Sequence, residues 1–126
     1  MIHRKPQTVY YRFINRTPAD NYPPYKFAHS RVALEQALRA VNLGKGDEIL
    51  IPELTCYSIL QPLGNLGIKA VFYQGQENLA PDWSDIALKK TVRTKAIIML
   101  HYFGIPQQIN PFLDYCNQNN LLLIED

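Results

Sequence analysis

A chain of 126 residues, 47% hydrophobic and 19% charged, has the size and composition of one globular domain with a core of its own. Its formal charge of +2 comes from 13 basic and 11 acidic residues scattered along the sequence, without the Lys/Arg stripe that a phosphate backbone demands, so nucleic acid is not an expected partner. No run is apolar for long enough to span a bilayer and the opening MIHRKPQTVYYRF has no continuous apolar h-region, which makes a soluble cytoplasmic protein the expectation.

Residues 1–24 hold Pro6, Pro18, Pro23 and Pro24 among tyrosines and polar residues, a composition that opposes helix and predicts an extended arm before a domain over 25–126. YKFA (25–28) reads as a short strand. RVALEQALRAVN (31–42) follows, with Leu34, Ala37, Leu38 and Val41 at helical spacing, Ser30 as the N-cap and Gly44 as the stop. EILI (48–51), AVFY (70–73), AIIML (96–100) and LLLI (121–124) lack the alternation of half-exposed strands, which predicts strands covered on both faces. Between them, helices are predicted over 56–66, weakened by Pro62 and Gly64, over 83–90 with Asp82 as cap, and over 111–119 with Asn110 as cap and Pro111 at the first position. Strand and helix alternating at this spacing predict parallel pairing through right-handed crossovers: an α/β fold with three α/β/α layers around a mainly parallel sheet.

In such a sheet ligands bind outside the carboxyl ends of the strands. Those ends carry PELTCY (52–57), HYFGIP (101–106) and ED (125–126). The helix beginning at Arg31 leaves a strand end on the same rim, so its free N–H groups, with Ser30 and the Arg31 charge, suit a phosphate. A phosphate ester with a basic ring nitrogen would match Arg31 and Asp126 together, because a carboxylate beside a pyridine nitrogen keeps it protonated. Taken singly, Ser30 reads as a cap, Arg31 as a solvated first-turn charge and Asp126 as an ordinary strand-end acid. Cys56 and Cys116 form no C-x-x-C pair and His3, His29 and His101 are scattered, so reduced structural cysteines and no metal site are expected.

Five segments in order carry a resemblance: HSRVAL (29–34), GKGDEILIPELTCYS (44–58), LGIKAVFY (66–73), TKAIIMLHYFGIP (94–106) and LLLIED (121–126). From about Tyr25 to Asp126 the chain resembles the N-terminal part of the DegT-type sugar aminotransferases, a branch of the fold-type-I pyridoxal-phosphate-dependent transferases. The resemblance implies pyridoxal 5'-phosphate as cofactor, keto sugars of nucleotide sugars as substrates with an amino-acid donor, and a homodimer. It also implies a phosphate-binding turn at Ser30, Arg31 and Val32, a ring-stacking position at Cys56 or Tyr57, and Asp126 as the partner of the pyridinium nitrogen. Two positions depart from the family pattern: Ser30 stands where glycine is usual, and Cys56 where an aromatic residue is usual, with Tyr57 next to it. Thr55 reads equally as a site residue or an N-cap. His101, Tyr102 and Gly104 fit the family's strand-to-loop exit, and equally a core histidine and a turn.

By the same resemblance, amino transfer needs a lysine that forms a Schiff base with the cofactor aldehyde and lies well downstream of the aspartate. Lys5, Lys26, Lys45, Lys69, Lys89, Lys90 and Lys95 do not occupy the matching position. The expectation is therefore the N-terminal portion of a sugar aminotransferase, lacking later strands, the lysine and the small domain, and inactive by itself. A stand-alone binding or regulatory module derived from that fold is the alternative. A third reading is an unrelated flavodoxin-like domain, for which EILIPEL offers only Glu48 and Glu53 as rim acids. The family fold also leaves strand edges along KFA and along 121–124 without their usual neighbours. Pairing between copies, as a strand-mediated or arm-swapped homodimer, is expected in preference to 25–28 lying directly beside 121–124.

Overall fold

A computed structural model describes residues 9–10 and 27–126. The rest of the expected arm, and Tyr25 and Lys26 of the expected first strand, lie outside the described residues. The elements are β1 (Val9–Tyr10), α1 (Ser30–Ala40), β2 (Glu48–Pro52), α2 (Leu60–Leu66) after a 3-10 turn at Tyr57–Ile59, β3 (Lys69–Tyr73), α3 (Trp83–Lys89), β4 (Thr94–Met99), α4 (Ile109–Asn119) and β5 (Leu122–Glu125). They build one five-stranded sheet in the order β1-β5-β4-β2-β3, with every pair parallel. The predicted α/β architecture is the observed one.

The period of two along each strand sends successive side chains to opposite faces. Ile49, Ile51, Ile98 and Ile124 meet Leu34 and Leu38 of α1 and Leu63 of α2 on one face. On the other face Leu50, Ile97, Met99 and Leu123 meet Ile86 of α3 and Phe112 and Cys116 of α4. The helices thus cover both faces, and β2 is buried along its whole length. β3 departs from the expectation of strands covered on both faces: as the edge strand it leaves Lys69 and Phe72 exposed.

Several predicted boundaries move, each for a local reason. Ser30 is the first residue of α1, not its cap; His29 holds the cap position with extended backbone, and its carbonyl accepts from the N–H groups of Val32 and Ala33 at 3.1 and 3.2 Å. Asn42, not Gly44, ends α1: it is left-handed at φ 59, which lets Leu43 N–H close on the Leu38 carbonyl at 2.9 Å. Gly44 belongs to the next turn, donating its N–H to Asp47 Oδ2 at 3.0 Å. Asp82 caps α3 as expected, accepting from Ser84 N–H at 2.9 Å and Asp85 N–H at 3.2 Å. α4 begins at Ile109 after Gln108 rather than after Asn110, so Pro111 falls inside its first turn, where its missing N–H leaves no bond unmade.

Phe27 and Ala28 are irregular, so the described half of the expected 25–28 strand is not a strand. Val9 and Tyr10 lie parallel to Ile124 and Glu125, so the chain's own arm supplies a neighbouring strand to the second half of β5, which was neither of the two arrangements expected. At the opposite rim the Glu48 carboxylate, 1% exposed, accepts from Thr91 Oγ1 at 2.6 Å, Arg93 Nη2 at 2.8 Å and Lys69 Nζ at 3.3 Å. It ties β2, β3 and the turn before β4 at the amino end of the sheet, far from the strand ends that form the site.

Candidate active site

At the carboxyl ends of β2, β4 and β5, a cavity of about 120 Å³ opens against the start of α1. Ser30 and Arg31 line it from α1, Thr55, Cys56 and Ser58 from the segment after β2, and Asp126 from the end of β5. Leu34, Ile98 and Ile124 give it an apolar floor. The N–H groups of Val32 and Ala33 are taken by the His29 carbonyl, which leaves Ser30 and Arg31 as the residues of this turn that the helix start presents to the cavity.

Asp126 is pinned by backbone as well as by sequence position. Its N–H donates to the Met99 carbonyl at 2.9 Å, and its carbonyl accepts from His101 N–H at 2.8 Å, so the β4–β5 ladder runs on past the strand ends. Desolvation pushes the Asp126 carboxyl above its ordinary value, with His101 pulling the other way. Across the cavity the Ser58 hydroxyl donates to Cys56 Sγ at 3.1 Å. That bond holds the Cys56 thiol below its usual value, while slight desolvation and the Asp126 charge oppose the shift.

Among the six residues expected in a cofactor site, the structure brings Ser30, Arg31, Cys56 and Asp126 to one cavity. Tyr57 is 83% exposed and Val32 40% exposed, and neither lines it. Thr55 lines the cavity and caps nothing: the helical turn after it is preceded by Cys56 and has no side-chain cap. Ser58 was not expected at all, and it stands two residues beyond Cys56, on the same approach to α2.

The other partner that residue patterns left out is Glu125. His101 Nδ1 accepts from Gln107 N–H at 2.9 Å, which leaves Nε2 to carry the proton toward Glu125 Oε1, 2.8 Å away. Glu125 is in register with Met99, so the facing strand places it near residue 101. That register, once drawn, was the signal that would have found it. Among the described residues no lysine lines the cavity, no group of His, Cys, Asp and Glu is placed to hold a metal, and no helix is long and apolar enough to cross a membrane.

Residues 27–126 match the DegT/DnrJ/EryC1/StrS aminotransferase family. The chain belongs to this family. One relative, a dTDP-4-dehydro-2,3,6-trideoxy-D-glucose 4-aminotransferase of Saccharopolyspora spinosa, is 32% identical over 95 residues, 75% of this chain and 25% of its own length. A GDP-perosamine synthase of Escherichia coli O157:H7 is 30% identical over 118 residues, 91% of this chain and 32% of its own length. Among solved structures, an aminotransferase from Psychrobacter cryohalolentis superposes with a TM-score of 0.69 at 30% identity, over 76% of this chain and 25% of its own. This DegT-family chain spans about a quarter to a third of the length of the relatives it matches.

Proposed function

We infer that residues 27–126 are the phosphate- and ring-binding portion of a pyridoxal-phosphate-dependent aminotransferase acting on keto sugars of nucleotide sugars. The observation that carries this reading is one cavity at the strand ends that has Ser30 and Arg31 on one wall and Asp126 on another, in a chain of this family. The residues fit the group. A helix start with an adjacent guanidinium suits a phosphate, and a carboxyl raised by desolvation gains most from a cation placed beside it.

The cofactor, when bound, supplies the electron sink that lets an amino group pass between an amino acid and a keto sugar. Arg31 and Ser30 would hold its phosphate, and Asp126 would keep the proton on its ring nitrogen. Cys56, in place of an aromatic ring, would pack against the ring face through sulfur, a smaller and more polarisable contact. The apolar floor of Leu34, Ile98 and Ile124 would exclude water beneath the ring, which strengthens each of these charged contacts.

No lysine borders this cavity among the described residues, so the reacting amine would come from a part of the enzyme beyond residues 27–126, and this chain alone would transfer no amino group. The substrate class is supported by the names of the two sugar-modifying relatives, and a cytoplasmic homodimer by family resemblance. The test is titration with pyridoxal phosphate, then borohydride reduction and peptide mapping. Arg31→Ala should weaken binding by about 1–2 kcal/mol, and no single lysine should be labelled stoichiometrically. Binding indifferent to Arg31 and Asp126, or one lysine fully labelled, would overturn the reading. Sedimentation equilibrium tests the dimer.

A further inference from the structure

Glu125 ends β5 and Asp126 follows it with the ladder running on, so the two side chains leave on opposite faces. Asp126 enters the cavity on the α1 side, while Glu125 meets His101. His101 grips both: its backbone N–H donates to the Asp126 carbonyl at 2.8 Å, and its ring meets Glu125 at 2.8 Å. The ring is itself held from behind. Gln107 N–H donates to Nδ1 at 2.9 Å, and Gln107 Nε2 donates to the Leu79 carbonyl at 3.2 Å, so a line of hydrogen bonds crosses the rim from the loop after β3 to the end of β5.

The loop that brings Gln107 back is conformationally costly. Phe103, at φ 55, and Gly104, at φ 77, are consecutive left-handed residues, and Phe103 stands 88% exposed with no core contact to repay the conformation. The turn closes with Ile105 N–H on the Tyr102 carbonyl at 2.9 Å, and the chain then returns Gln107 N–H to His101.

We propose that His101 is a positioning residue for Asp126: with Glu125 and the Gln107 N–H it fixes the height and direction at which the Asp126 carboxyl meets its ligand. This rests on the reading of Asp126 as the ring-facing carboxylate. The charged and titratable groups around Asp126 are Arg31 from α1, Cys56 after β2, His101 after β4 and Glu125 beside it on β5.

The test uses the cofactor-free 126-residue chain, so it does not depend on cofactor binding. Nitrogen-15 NMR should find the neutral His101 ring protonated on Nε2. Carbon-13 NMR at a pH where the ring is neutral should show the Asp126 carboxyl resonance moving and broadening in His101→Ala, because the Glu125 tie that holds the end of β5 is gone. Asp114, exposed on α4, is the unmoved control. Gln107 amide exchange should speed up about tenfold or more. His101→Gln keeps a donor for Glu125 and should bring the Asp126 resonance back toward its wild-type position; Glu125→Ala, which removes the ring's partner, carries the test if His101→Ala does not fold. An unmoved Asp126 in folded His101→Ala or Glu125→Ala, or a wild-type ring protonated on Nδ1, would overturn the proposal. If Asp126 moves as expected but pyridoxal phosphate does not bind, the cofactor reading fails and the His101 tie stands. If the cofactor binds through Arg31 while Asp126 ignores His101, the reverse holds.

Discussion

Arg93 Nη2 donates to Glu48 Oε1 across 2.8 Å, joining a side chain that is 61% exposed to one that is 1% exposed. The pair is asymmetric: the carboxylate has lost its water, whereas the guanidinium keeps most of its own. Removing the cation leaves Thr91 and Lys69 as donors, so Arg93→Ala should cost under about 1 kcal/mol. Glu48→Ala leaves the strand start without its central acceptor and should cost about 2–3 kcal/mol, less than a fully buried pair because both cations return to solvent. Urea denaturation of the two variants checks the ordering.

The same carboxylate sets part of the acid response. The Thr91 hydroxyl, aided by Lys69 and Arg93, holds Glu48 below its ordinary value against desolvation. Its contribution to stability is therefore complete above the usual glutamate range and is lost as pH falls through the lowered value. Asp126 has the opposite sign. Its raised carboxyl favours the folded state most when protonated, and that preference fades as pH rises from the ordinary aspartate range through the raised value. Denaturation midpoints should show Glu48→Gln flattening the acid loss, and Asp126→Asn equal to or more stable than the wild type at pH 7 with the difference vanishing in acid.

Gly67 ends α2 at φ 68, and a Cβ there would lie 3.3 Å from Lys45 Cβ. Both the left-handed backbone and the neighbour oppose any larger residue. Gly67→Ala should cost about 1–2 kcal/mol, where a glycine of ordinary conformation would gain stability from the same change. Thermal unfolding of Gly67→Ala beside Gly64→Ala, which meets nothing within 4 Å, separates these effects.

Leu38 is 2% exposed and fixes α1 to the sheet among Ile49, Ile51 and Leu63. Leu38→Ala should destabilise by about 2–5 kcal/mol. Because α1 carries Ser30 and Arg31, phosphate or cofactor affinity should fall as well, at concentrations of urea where the wild type still binds. Affinity unchanged in the folded variant would separate the helix start from the packing beneath it.

The sheet was legible because four apolar runs, 48–51, 70–73, 96–100 and 121–124, each long enough for a strand and too short for a helix, lie at crossover spacing. The rim followed from the parallel order alone. What escaped was set by contacts distant in sequence. Nothing in YKFA shows that Phe27 and Ala28 leave the sheet, and nothing near Val9 and Tyr10 announces a partner at Ile124 and Glu125. Tyr57 reads as well as Cys56 for the cavity until the 3-10 turn rotates it into solvent. Asn42 displaced Gly44 as the helix stop because asparagine also tolerates the left-handed region.

β5 lies between β1 and β4, so among the described strands the last in chain order inserts between the first and the rest of the sheet. On the ribosome, residues 9–10 have no strand to join until 122–125 emerge, and the ladder beside Asp126 closes only then. Joining ends so distant carries a loop-closure entropy that grows slowly with length but must be met before the contacts form. Before that moment β4 shows an unpaired apolar edge, Ile97 and Ile98 among it, and the nascent chain is then most prone to pair with another of its kind.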